Sequence, residues 1–343
     1  NHLPKKEQKE TLQRLAYYIG IQHYNNASYS NALLKFEFAR KYPEDSEMDL
    51  LCLYWMSDCY YQMKDYSKAV RYYEEYISTP SNSLIDKIEI ANYNLAYSYF
   101  QSKEYKKSVS CFRKLINADL DLKRLNDAGL RLADSYYMLS DFENAAKYYD
   151  KSTNNDFDKQ YALYQQSKCY GLITDFKEQE LCLLQLLNDD SDNQIYYERS
   201  LFDLANLYKN QDDNKVALQY YDKVLNFSKD QEIISSSLLS KALIFSNQVK
   251  LDNSILYLKK IIENYPKTSS FHGAKIGLKD AYINKGQVNE YLSYISKIPQ
   301  IDISVSSKDS LTYLVSYNNY KNKNYKTSQS SFESYLSEFG KEA

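Results

Sequence analysis

The chain has 343 residues, with 43 basic and 45 acidic side chains and a net charge of −2, so no long-range field draws it to nucleic acid. Its 7 Gly and 5 Pro are too few for an architecture of strands and tight turns. With mean hydropathy at −0.65, no window approaches the roughly 18 apolar residues of a membrane span.

Taken from its N-terminus, the chain repeats itself. The stretch from Asp58 to Tyr73 returns as Ser98 to Phe112 and again as Ser135 to Tyr149. The residue opening the second half of each unit is Tyr29, Tyr66, Tyr105, Phe142, Phe176, Asn214, Leu251, Val288 and Tyr325. The gaps are 37, 39, 37, 34, 38, 37, 37 and 37 residues, a period that belongs to stacked repeat units. Nine units are expected, at approximately 12–44, 49–80, 88–120, 125–154, 159–190, 197–229, 234–267, 271–299 and 308–340. They form one domain over 1–343, expected to be a piece of a longer array because no polar capping helix follows the ninth unit.

Each unit reads as two amphipathic helices. Leu53, Met56, Ser57 and Tyr60 recur at helical spacing, as do Tyr66, Ala69, Val70, Tyr73 and Tyr76. Links of about four residues, such as Gln62-Met63-Lys64-Asp65, force an antiparallel hairpin. Small residues occupy the close approach: Gly20, Ser57, Ala96, Ala133, Ser167, Ala205 and Ala242 on first helices, and Ala32, Ala69, Ser108, Ala145, Ala217 and Ser254 on second helices. Bulky residues follow the second set by four: Phe36, Tyr73, Phe112, Tyr149, Tyr221 and Leu258. The fifth unit departs, with Gln179 where a small residue is expected.

Longer connections are expected at Ser78–Ser83, Asn154–Asp156 and Asn188–Asn193. Pro299–Ser307 is the only stretch with strand-like alternation and reads as a long link or hinge.

This small-large grammar resembles the tetratricopeptide repeat family. Gly20, Ala32, Phe36, Ala39 and Pro43 match it in the first unit, and Ala242, Phe245, Ser254, Leu258 and Pro266 in the seventh. The resemblance covers essentially the whole chain and implies an all-α, right-handed α-solenoid of about nine helical hairpins. The family usually has a 34-residue period, and most units here run longer. The endings Lys41-Tyr42-Pro43 and Asn264-Tyr265-Pro266 look like the longer variant of bacterial envelope proteins, such as outer-membrane assembly lipoproteins and the Tol–Pal coordinator. A periplasmic or outer-membrane-associated setting is accordingly the expectation, with cytoplasm as the alternative.

One stripe lies beside the hairpin-facing residues of the first helices. It comprises Tyr17, Ile21 and Tyr24; Tyr54, Asp58 and Tyr61; Tyr93, Tyr97 and Phe100; Asp134 and Tyr137; Tyr161, Tyr164 and Lys168; Arg199, Phe202, Asn206 and Lys209. Steps of three and four put each set on one helical face. In the resembled family this face lines the concave groove, which implies an aromatic, acid-dotted channel for a peptide or protein partner. The competing reading is that these rings only pack between adjacent first helices. A structural subunit of an envelope complex, with self-association, is the second functional reading.

Catalysis finds no support. His2, His23 and His272 have no metal-ligand spacing, and seven scattered glycines form no phosphate cradle. Five cysteines without CxxC spacing read as small buried hydrophobes rather than a disulfide framework or zinc site. No enzyme activity, cofactor or metal is expected.

Overall fold

The computed structural model describes residues 5–79, 85–118, 120–152, 158–188, 194–299, 305–321 and 323–340. Among them are eighteen α-helices and no strand. The first three hairpins pair α1 (Lys6–Asn25) with α2 (Tyr29–Ala39), α3 (Ser46–Gln62) with α4 (Tyr66–Ser78), and α5 (Ile85–Gln101) with α6 (Tyr105–Leu115). The next three pair α7 (Leu122–Met138) with α8 (Phe142–Ser152), α9 (Lys159–Leu172) with α10 (Phe176–Leu187), and α11 (Gln194–Asn210) with α12 (Asn214–Phe227). The last three pair α13 (Gln231–Asn247) with α14 (Leu251–Asn264), α15 (Ser270–Lys285) with α16 (Val288–Ile295), and α17 (Val305–Lys321) with α18 (Tyr325–Phe339).

The hairpins gather into two compact units, Asn1–Leu186 and Leu187–Ala343. The repeat period carries no sign of this division. In the first unit each second helix packs on the next first helix, as α2 on α3, α4 on α5 and α6 on α7. First helices also touch in succession, α1 to α3 to α5 to α7. Among the described residues, no such chain of contacts links second helices, so the first helices form the tighter, inner layer. The second unit repeats the scheme, with α12 on α13, α14 on α15, and first-helix contacts from α11 to α13 to α15.

Several first helices begin three residues before the expected boundaries, at Ser46, Ile85, Leu122, Gln194, Gln231 and Val305. Where the cap is described, an aspartate explains the extra turn. Asp45 accepts from the Glu47 and Met48 N–H groups, Asp121 from Arg124, and Asp230 from Glu232 and Ile233.

Every hairpin turn is built alike. Ala27, Lys64, Lys103, Ser140, Thr174, Asp212, Val249, Gly286 and Lys323 all have φ between 54° and 70°. After α3, the Lys64 N–H donates to the Tyr61 carbonyl (2.9 Å) and the Asp65 N–H to the Tyr60 carbonyl (2.9 Å). This double closure normally recruits glycine at the left-handed position, and eight of the nine turns do without it. The next residue starts the second helix: Asp65 caps Lys68 N–H and Asp213 caps Val216 N–H.

Packing follows the small-large pattern. Ala32, Ala69, Ala145 and Ala217 are fully buried beside Phe36, Tyr73, Tyr149 and Tyr221. At Gly20 a Cβ would come within 2.5 Å of Phe36 Cε1, so the first hairpin closes only because that position is glycine. The fifth hairpin inverts the rule. Gly171 replaces the aromatic that α1, α3, α5 and α7 carry at this position, and the large Gln179 fills the space, its Nε2 lying 2.7 Å from where a Gly171 Cβ would be.

Pro80–Ser83, Asn154–Asp156, Asp189–Asn193 and residues 300–304 lie outside the described residues. Of the strand-like stretch, Val305 already belongs to α17.

Candidate functional site: the inner face of the first helices

The proposed stripe runs along α1, α3, α5, α7 and α9 in the first unit, and its residues divide into two groups. Tyr54, Asp58 and Asp134 are buried. Tyr17, Tyr24, Tyr61, Tyr93, Tyr97, Phe100, Tyr137, Tyr161, Tyr164 and Lys168 are half-buried. Arg199 (exposed), Phe202 and Asn206 (both half-buried) sit on α11, in the second unit.

Both acids are occupied by the chain's own side chains. Asp58 accepts from the phenols of Tyr73 (3.0 Å) and Tyr24, and Asn94 Nδ2 lies 3.4 Å away. Asp134 accepts from Tyr149 (2.5 Å) and Tyr161 (2.7 Å), and from Arg131 (2.5 Å). Tyr73 and Tyr149 are buried on the second helices, and a phenol taken out of water requires an acceptor. These carboxylates supply it, one residue past the small position and 15 residues before the tyrosine.

A continuous polar chain joins the inner helices. Tyr93 (2.5 Å) and Tyr97 both donate to Asp127, Arg131 Nε donates to the Tyr97 oxygen (3.1 Å), and Arg131 then pairs with Asp134. Asp127, Arg131 and Asn94 belong to this network and were not singled out from sequence. Their signal was position: Asn94 and Arg131 lie three residues before the stripe members Tyr97 and Asp134, and Asp127 lies four before Arg131. Burial opposes the Arg131 charge, but Asp134, Tyr97 and Asp127 more than offset this and raise its pKa. Burial pushes the Tyr54 and Tyr97 phenols up to about 12, aided by Asp58 and Asp127 respectively. These groups stay protonated at neutral pH.

A second subset is uncommitted. Tyr61, Phe100 and Tyr137 come at the C-terminal ends of α3, α5 and α7, each edge-on to the residue that opens the following helix. The ring centroids are 5.7 Å apart for Tyr61–Tyr66, 5.6 Å for Phe100–Tyr105 and 5.4 Å for Tyr137–Phe142. Among the described residues nothing hydrogen-bonds the Tyr61 or Tyr137 hydroxyl. Tyr24 begins the row, edge-on to Tyr29 at 5.6 Å, and Gly171 ends it.

Beside the network a pocket of about 500 Å³ opens among Tyr93, Asp121, Lys123, Arg124, Asn126, Asp127 and Asp158. It holds charges of both signs. Cys52, Cys59, Cys169 and Cys182 are free and buried, and burial raises each thiol to about 12, so they pack rather than react. Among the described residues no group of three or more His, Cys, Asp or Glu is placed to hold a metal, and no helix is long and apolar enough to cross a membrane.

Models of the tetratricopeptide repeat match residues 51–81, 90–122, 127–155 and 198–231, which coincide with the second, third, fourth and sixth hairpins. No curated protein matches. Among solved structures, the C-terminal part of a TPR repeat-containing protein from Cytophaga hutchinsonii superposes with a TM-score of 0.62. It is 15% identical over 76% of this chain and 99% of its own. The Naa15/Naa10 complex bound to HypK-THB gives a TM-score of 0.53 at 13% identity. It covers 96% of this chain, which spans about half (53%) of the Naa15/Naa10 entity it matches. At such identities these likenesses bear on fold alone. With the hairpin period, the small-large packing and the repeat models in agreement, the chain belongs to the tetratricopeptide repeat family.

Proposed function

We propose that the first unit binds an extended or helical segment of a partner protein across the inner face of its first helices. Tetratricopeptide repeats are generally protein-interaction scaffolds, and this chain shares their architecture. The observation that carries the finer reading is the row Tyr61, Phe100 and Tyr137. It offers half-buried rings and two unclaimed hydroxyls on successive first helices, beside acids, Asp58 and Asp134, that are already satisfied. Rigid aromatic rings with a polar tip are favoured anchors for a partner segment, because they bury much area and lose little side-chain entropy. The network from Tyr93 to Asp134 then serves as the stiff floor on which the row is mounted. No step here calls for a catalytic group.

The test is affinity selection from a random peptide library displayed on phage, against this chain. Enriched peptides should bind the wild type and lose at least about tenfold in affinity to the Tyr61→Ala/Phe100→Ala/Tyr137→Ala variant. The variant's melting temperature should stay within a few degrees of the wild type. Peptides that bind both proteins equally would move the site off this row.

A further inference from the structure

The second unit holds a cavity of about 300 Å³ between the start of α16 and the α17/α18 hairpin. Two 37-residue periods separate this place from the junction of α12 with α13 and α14, as the left-handed turn residues show: Asp212 corresponds to Gly286 and Val249 to Lys323. At the earlier junction the side chains are large and packed. Leu238 and Lys241 are buried, Lys241 pairs with Asp222 of α12, and its Nζ lies 4.8 Å from the centre of the Tyr257 ring. Phe245 stacks on that ring at 5.6 Å, and the Lys260 Nζ lies 5.5 Å from it. The counterparts of Leu238, Lys241, Tyr257 and Lys260 are Thr312, Val315, Ser331 and Ser334, and all four line the cavity. Four large side chains have become four small ones, and the space between the hairpins reaches the size of a small-molecule pocket.

The lining is rich in acceptors. The hydroxyls of Thr312, Ser316, Ser330 and Ser334 each donate to a carbonyl of their own helix, at 2.8–3.1 Å, which leaves the oxygen lone pairs for an outside donor. Gln287 Oε1 is buried, and no group donates to it. A buried carbonyl oxygen of this kind calls for a donor. Glu290 supplies the one charge among the described lining residues. Its carboxylate repels an anion, while the start of α16 presents the positive end of the helix dipole and disfavours a cation. Val288 and Val315 add apolar wall. What fits is a neutral molecule with several hydroxyl donors on a hydrocarbon frame.

We propose that this cavity binds a small neutral polyol, the size of a single sugar ring, whose hydroxyls donate to Gln287 Oε1, Glu290 and the serine oxygens. The site lies in the second unit and is independent of the partner-binding row of the first.

Saturation-transfer difference NMR on the 343-residue chain tests this with methyl glucoside, methyl galactoside and N-acetylglucosamine as probes and propylammonium as the charged comparison, each up to about 50 mM. At least one sugar should give a saturable signal stronger than that of propylammonium. Thr312→Leu/Ser331→Tyr restores the residues of the seventh hairpin; it should fill the cavity, keep the helical circular dichroism and weaken the sugar at least about tenfold. Gln287→Leu is a smaller change that reads the site even if the double variant fails to fold. It removes the unpartnered acceptor, so it should weaken the sugar while the melting temperature stays the same or rises. No saturable sugar signal, or a stronger one from propylammonium, would overturn the proposal. So would equal sugar binding by the wild type and either folded variant, which would move the sugar to another part of the chain.

Discussion

The second and fourth hairpins differ from the first and third at two linked positions. In the former pair the bulky residue of the second helix is Tyr73 or Tyr149, and the residue 15 earlier is Asp58 or Asp134. In the latter pair it is Phe36 or Phe112, and the earlier residue is Ile21 or Tyr97. The sixth hairpin follows the tyrosine version, with Tyr221 donating to Asn206 at 2.7 Å. One phenolic oxygen thus decides the neighbour's chemistry. A buried Phe makes no demand, whereas a buried Tyr must be given an acceptor. An acid on a groove-facing stripe is therefore no direct sign of charge offered to a partner.

The largest way to break this arrangement is alkali. Tyr54, Tyr97 and Tyr221 have pKa values of about 12 in the folded chain, against 10 when unfolded, and burial is the main cause for each. A group whose folded pKa is raised contributes stability that is fully present below pH 10 and lost as pH rises toward 12. Helical circular dichroism and phenolate absorbance should therefore change together above pH 10. Full phenolate absorbance for all 38 tyrosines, reached with the helices intact, would show that these rings are not sealed.

Next in size is Asp134→Leu, which strands the Tyr149 and Tyr161 phenols and leaves Arg131 with Asp127 alone as its carboxylate partner, and should cost about 3 kcal/mol in chemical denaturation. Tyr97→Phe in the third hairpin keeps its ring and should cost no more than about 1 kcal/mol. If the two losses are equal, the distinction between tyrosine-type and phenylalanine-type hairpins has no energetic content.

The sixth hairpin gives a cleaner version of the same test. Asn206→Leu alone leaves the buried Tyr221 hydroxyl without its acceptor, costing about 1–3 kcal/mol. Adding Tyr221→Phe converts the hairpin to the phenylalanine version and should restore most of that loss. A double-mutant cycle with a coupling below about 0.5 kcal/mol would mean that the 2.7 Å bond contributes nothing specific.

Much of the fold could be read in advance because the repeat encodes it redundantly. Ala32, Ala69 and Ala145 marked the close approaches in three of the hairpins, and the structure pairs them with Phe36, Tyr73 and Tyr149 as the spacing implies. The stripe was readable as a helical face, since steps of three and four are a one-dimensional signal. Which stripe members are spoken for was not, because Tyr24 reaches Asp58 across 34 residues and Tyr97 reaches Asp127 across 30. The size exchange at Gly171 and Gln179 was half visible: the odd glutamine stood out, but its compensating glycine lies on the other helix. The left-handed turns were hidden for a different reason, which is that eight of the nine lack the glycine that would announce them.

That last point yields the smallest and most local prediction. Val249 holds φ of 61° in the turn between α13 and α14, where its N–H donates to the Ser246 carbonyl (2.9 Å) and the Lys250 N–H to Phe245 (2.9 Å). A β-branched side chain in the left-handed region crowds its own backbone, and at 77% exposure Val249 gains little burial in return. The equivalent turn before α16 uses Gly286 at φ 70° without that crowding. Val249→Gly should therefore raise stability, by about 0.5–1 kcal/mol after allowing for the greater freedom of glycine in the unfolded chain. Val249→Ala, which removes the branch but keeps a Cβ, should fall between the two. A loss of stability in the glycine variant would mean that the turn draws on the valine side chain, and that the left-handed conformation carries no strain there.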